Sequence, residues 1–204
     1  MWQALSADTQ AAIERARQAY GDVLFDYCHS TLAAADAELA ACGALLSAHA
    51  HADRLSEPEN LRAWLYALAR AHCTMQATAS SGTPTGPGAA AGTDLEEALA
   101  ALPALQRELL ELSVRHGLTN TEIALIFDAG AIEIEHLVDD AADHLETLLG
   151  SGPALTAAHT AADLLQHLPI RDAPATMAAR LTCAEPLPPA RHGAAMASPN
   201  KHSS

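Results

Sequence analysis

Apolar residues recur along this chain at helical spacing, in two blocks separated by a stretch with no such pattern. In the first block, Ile13, Tyr20, Leu24 and Tyr27 share a face of one helix from Asp8 to about Ala33, or of two helices joined near Gly21. A second helix is predicted from Asp36 to His49. The third has a start signal in Ser56-Glu57-Pro58-Glu59, with serine at the cap, proline in the first turn and a glutamate placed to complete a capping box. It continues through Leu61, Trp64, Leu65 and Leu68, the i, i+3, i+4, i+7 stripe of a helix buried on one side. Residues 1–75 therefore read as a three-helix domain.

From Gln76 to Thr93 the chain is Ala, Ser, Thr, Gly and Pro, without charge and with no large apolar residue, and this composition predicts a flexible tether. The helical pattern resumes at Asp94, with Leu95, Leu99 and Leu102 on one face. Pro103 opens a helix carrying Leu105, Leu109 and Leu112, which Gly117 ends. Thr119 and Glu122 form a second capping box and start a short helix with Ile123, Ala124, Ile126 and Phe127. A turn at Asp128-Ala129-Gly130 leads into a helix from about Ala131 to Leu149, with Ile134, Val138, Ala141, Leu145 and Leu148 as its buried seam. Residues 94–150 thus read as a four-helix domain containing a helix-turn-helix. The remainder, 151–204, is expected to be mostly disordered, with one helix at Ala157 to Leu168 stopped by Pro169. That helix, around Leu164 to Ile170, is a candidate docking segment.

Composition narrows the class. Aromatic residues make up only 3 % of the chain, so an all-α fold must build its cores from Ala and Leu. No apolar run reaches membrane-spanning length, and the start of the chain lacks the basic and apolar stretches of a signal peptide, so a cytoplasmic protein is expected. Cys28, Cys42, Cys73 and Cys183 form no CxxC pair and read as free thiols.

The net charge of −14 is unevenly placed. Residues 94–150 hold thirteen acids against two arginines, residues 1–75 nine acids against five, and the segment after 150 is slightly basic. Opposite local charges on the two halves, with Arg62 and Arg70 on the first, would draw them together across the tether.

The run Leu118-Thr119-Asn120-Thr121-Glu122-Ile123-Ala124, following Gly117 and a Leu-rich helix with Arg107 and Glu108, resembles the fourth region of extracytoplasmic function (ECF) sigma factors. Leu61-Arg62-Ala63-Trp64-Leu65-Tyr66-Ala67-Leu68-Ala69-Arg70 is similar to the end of that family's second region, which helps to open promoters. The resemblance covers about residues 20–150 and implies a region 2, linker, region 4 order. It would make Arg62, Trp64 and Arg70 contacts to promoter or polymerase. Trp64 and Tyr66 could stack on unpaired bases, or Trp64 could anchor the core.

Two departures qualify it. The family's recognition helix is basic, whereas this one carries Glu135, His136, Asp139, Asp140 and Asp143 and no Lys or Arg, so phosphates would meet carboxylates. Glu135, Asp139, Asp143 and Glu146 line one helix face, although like charges four apart cost about 0.2–0.5 kcal/mol per pair. Where the family grips the polymerase clamp with polar residues, this chain has Leu39-Ala40-Ala41-Cys42-Gly43-Ala44-Leu45.

Three readings follow. A sigma-like regulator would act by protein contact, with Glu135, Asp139, Asp140 and Asp143 as the partner-binding surface for an anti-sigma factor or another basic protein. A functioning divergent sigma factor would guide core RNA polymerase. An acidic DNA mimic would occupy a DNA-binding protein. None needs a cofactor, a catalytic residue or a membrane, and binding of duplex DNA through the acidic helix is disfavoured. His136, Asp140 and His144 have the spacing of a metal site but lack a complete ligand set, so no metal is expected. Eleven histidines could still make binding sensitive to pH.

Overall fold

The computed structural model describes residues 7–51, 58–79, 94–150 and 160–183, and every regular element among them is helical. The first half contributes α1 (Ala7–His29), α2 (Ala34–Ala50) and α3 (Leu61–Ala79), the last preceded by a 3-10 turn at Pro58–Asn60. The second contributes α4 (Asp94–Ala101), α5 (Ala104–Leu110), α6 (Asn120–Phe127) and α7 (Ala131–Leu149), and the chain then adds α8 (Ala161–Gln166) and α9 (Thr176–Cys183). None of these helices is long and apolar enough to cross a membrane. Helix α1 runs through Gly21 without a break.

The low aromatic content shows in how α2 is packed. Ala37, Ala40, Ala41, Ala44 and Ala48 are buried, together with Cys42 and Leu45, so nearly the whole circumference of α2 is covered by α1, α3 and α9. Small side chains let the helix axes approach closely. At Gly43 the approach is limiting, because a Cβ there would stand 2.5 Å from Nδ1 of His72 on α3. His72 is fixed in that position by its Nε2, which lies 2.8 Å from Ser47 Oγ on α2. The segment from Ala40 to Leu45 is thus a helix-packing surface.

In the second half, α5 runs directly into a π turn, Glu111–Arg115, closed by an i to i−5 bond from the His116 N–H to the Glu111 carbonyl (2.9 Å). Gly117, at φ +62°, reverses the chain, and the Leu118 N–H donates to the Leu112 carbonyl (2.9 Å), which buries Leu118 against Leu112. Helix α6 starts with the expected capping box. Thr119 Oγ1 accepts from the Glu122 N–H (3.2 Å), and Glu122 Oε2 accepts from the Thr119 N–H (2.8 Å). Asp128 takes the left-handed conformation at the end of α6, and Gly130 caps α7.

One buried cluster joins residues from both sides of the segment 80–93. It includes Leu24, Tyr27, Leu45 and Tyr66 from α1 to α3, Leu109, Leu112, Ile123 and Ile134 from α5 to α7, and Met177 and Leu181 from α9. A second cluster packs Leu95, Leu99 and Leu102 of the α4 region with Leu110, Ala141, Leu145, Ala161 and Leu165.

Four expectations need correction. Helix α3 continues through Ala79, so residues 76–79 belong to it; the rest of the expected tether, 80–93, lies outside the described residues, as do Ser56 and Glu57 of the third start signal. Leu148, assigned to the seam of α7, is 40 % exposed, and Leu149 packs in its place against the second cluster. The final helix of the expected tail is shorter than predicted, Ala161–Gln166, with Thr160 as its cap. Beyond Pro169, where disorder was expected, α9 forms and buries Met177 and Leu181 against α1 and α2. Residues 184–204 lie outside the described residues.

Candidate interaction surface

The face of α7 opposite its seam is acidic and open. With Ile134, Ala141 and Leu145 turned inward, the helical period places Glu135, Asp139, Asp140 and Asp143 outward, and all four are exposed along with Glu133 and Glu146. Among the described residues none of those four carboxylates has an ion-pair partner, and the face carries no lysine or arginine. His136 is exposed beside them, while His144 Nδ1 turns to Gln106 Oε1 on α5 (2.8 Å). No group of three or more His, Cys, Asp or Glu side chains among the described residues could hold a metal ion. At the start of this face stands Ile132, 70 % exposed, with Leu125 of α6 also exposed; nothing in the hydrophobic periodicity separated Ile132 from the buried Ile134 two residues on.

Arg62, Trp64 and Arg70 do not form an open basic patch. The Arg62 guanidinium donates to the carbonyls of His116 and Gly117, the latter at 3.2 Å, and lies 3.8 Å from Glu122 Oε2. Arg70 Nε donates to Glu108 Oε1 (3.0 Å), and its guanidinium stacks 4.2 Å above the Phe127 ring. Tyr27 on α1 donates its hydroxyl to the same Glu108 oxygen (2.6 Å). Both arginines therefore clasp the second half, a local pairing of charge between two blocks that are each net acidic. Trp64 is half-buried against the core, and Tyr66 is buried, its ring edge-on to Tyr27 and His116, so Tyr66 offers no face to a base.

Between the halves lies a buried polar cluster that the sequence pattern did not reveal. Asp26 of α1 is 0 % exposed. Its Oδ1 accepts from the Arg115 guanidinium (2.8 Å) and from both the backbone N–H and the guanidinium of Arg171 (3.1 Å each). Its Oδ2 lies 3.6 Å from His116 Nε2. Arg115 also donates to the Pro169 carbonyl (2.9 Å) and faces Glu111 at 3.6 Å. The π turn is what directs Glu111, Arg115 and His116 together into this space. Burial pushes the His116 imidazole down to about 4, against the pull of Asp26 and with the help of Arg115 and Arg62, so the ring is neutral at pH 7. Burial likewise raises Glu111, partly offset by Arg115. The only hint in the sequence was an acid inside Phe25-Asp26-Tyr27, on a helix that buries residues 24–28 without interruption. Beside this cluster a cleft of about 230 Å³ opens, lined in part by His29, Arg107, Arg115 and Arg171.

Set against known proteins, the chain matches no family model, no curated protein and no solved structure.

Proposed function

We propose that this protein is a sigma-factor-like regulator of bacterial transcription that acts mainly through protein contacts, binding an anti-sigma factor or another basic partner. The observation that carries this reading is the outer face of α7, where Glu135, Asp139, Asp140 and Asp143 stand exposed, without an ion-pair partner among the described residues. A helix face with carboxylates and no lysine or arginine cannot release counterions from a DNA backbone, and it favours encounter with a positively charged surface. The ECF-like order of motifs supports the transcriptional context. The engagement of Arg62 and Arg70 with Glu122, Glu108 and Phe127 supports a role that does not use them on promoter DNA.

The test compares the wild-type chain with a variant carrying Glu135→Lys, Asp139→Lys and Asp143→Lys as baits in the native lysate at low and moderate salt. The expected result is a basic partner retained by the wild type, weakened by salt and lost from the variant. Retention of the same partner by both would remove α7 from the interface, and recovery of core RNA polymerase in good yield would favour a functioning sigma factor.

A further inference from the structure

The cleft beside the Asp26 cluster, about 230 Å³ in volume, is lined by residues from α1, α4, α5, the π turn and the segment that joins α8 to α9. That volume sets the size of what it can hold. An apolar cavity of about 150 Å³ accepts benzene, so at the same density this cleft takes about nine heavy atoms, the size of leucine. Its wall mixes apolar and charged groups. Glu96, Leu99 and Ala100 are spaced three and four residues apart, so α4 turns them to the cleft together. Leu168 and Pro169 add apolar surface from the segment after α8.

Most of the charges here are engaged with one another. Arg115 and Arg171 both donate to Asp26 Oδ1, and Arg115 also faces Glu111 at 3.6 Å. Those two cations and two carboxylates balance. Two charged residues of the wall stand outside that set, Arg107 on α5 and Glu96 on α4. Arg107 makes no ion pair among the described residues, although its charge is felt at Glu111.

We infer that the cleft binds a free α-amino acid with an apolar side chain, in its zwitterionic form. The Arg107 guanidinium offers the α-carboxylate a planar fork of donors, and Glu96 takes the ammonium group. The ligand side chain lies on Leu99, Leu168 and Pro169, which removes apolar surface from water. Three arginines stand against Asp26, Glu96 and Glu111, so the charges of the site sum to zero and favour a ligand whose charges do the same. A simple carboxylate would be repelled by Glu96 and Glu111, and a simple amine by the arginines. No residue of α7 lines the cleft, so binding there does not depend on the acidic face assigned to a protein partner.

The experiment titrates the full chain with L-leucine, by calorimetry and by thermal melting, beside two analogues that each lack one charge, leucinamide and isocaproate. One-to-one binding of L-leucine is expected, with each analogue at least about tenfold weaker, the usual loss when a charge-assisted hydrogen bond is removed. At about ten times its dissociation constant L-leucine should raise Tm by about 3–6 °C. Arg107→Gln should weaken L-leucine by at least about tenfold while its circular dichroism stays that of the wild type. No rise in Tm with L-leucine at about 20 mM, where a millimolar site is nearly full, would overturn the proposal. Binding of leucinamide or isocaproate as tight as that of L-leucine would overturn it too, as would undiminished binding by a folded Arg107→Gln. The wild-type series decides the matter even if that variant does not fold.

Discussion

Replacing Asp26 with Asn tests whether the buried polar cluster between the halves is structural. The substitution keeps the side-chain volume and one carbonyl acceptor, so the effect isolates the charge. Arg115, whose side chain is 4 % exposed, would be left facing Glu111 alone at 3.6 Å. Uncovering a buried cation in this way costs about 3–5 kcal/mol. Arg171 adds little to that figure because its side chain is 41 % exposed and water screens it. For a chain of this size each kcal/mol moves the midpoint by about 2–4 °C, so Asp26→Asn should lower Tm by about 6–20 °C when followed by circular dichroism. The matched control is Arg17→Gln, which breaks the Arg17–Glu14 pair (2.6 Å) within α1, where the carboxylate is 41 % exposed, and it should cost no more than about 1 kcal/mol. Equal shifts in the two variants would refute the claim that Asp26 organises the contact.

His116 gives a pH dependence with a definite sign. Its folded pKa is depressed to about 4, so between that value and 6.5 the unfolded chain binds the proton that the folded chain refuses. The contribution, on the order of 3 kcal/mol, is fully present above pH 6.5 and is lost as pH falls towards 4. Urea midpoints measured from pH 7 to 4.5 should decline less in His116→Gln; Glu111, raised in the fold, acts in the opposite direction above 4.5. Gly43→Ala should destabilise by about 1–3 kcal/mol by driving a Cβ into His72, and His72→Ala in the same chain should recover part of the loss in a double-mutant cycle. Thr119→Ala removes the Oγ1 acceptor of the capping box and leaves the bond from its own N–H to Glu122, and it should cost about 0.5–2 kcal/mol by denaturant titration, with amide exchange faster in the first turn of α6.

Legibility of the sequence followed the range of the interactions. The cap of α6 and both ends of α7 were readable because Thr119, Glu122, Gly130 and Gly150 act on neighbours within a turn or two. Leu148 went wrong because an apolar stripe of five is wider than the surface available to cover it. Helix α9 was missed because Met177 and Leu181 stand among Ala and Thr after a proline, and their partners lie on α1 and α2, well over a hundred residues earlier. The same distance hid the site's chemistry. Arg62 and Arg70 look like a free basic patch until Glu122, Glu108 and Phe127 are brought against them, and Asp26 looks like a surface acid until Arg115 and Arg171 arrive. The exposure of Glu135, Asp139, Asp140 and Asp143 was legible because it depends only on the helical period of one element.

The closing role of α9 sets an order on folding during synthesis. Arg171 meets Asp26 across 145 residues, and Arg180 meets Glu38 across 142. A nascent chain that has reached Gly150 holds all of α1, α2 and α3, yet it lacks Met177 and Leu181 to cover them and Arg171 to share the Asp26 charge. Helices α1 to α3 are therefore made well before the segment that seals them. Until residue 181 is translated their Ala-lined surface remains open to chaperones or to another unfinished chain.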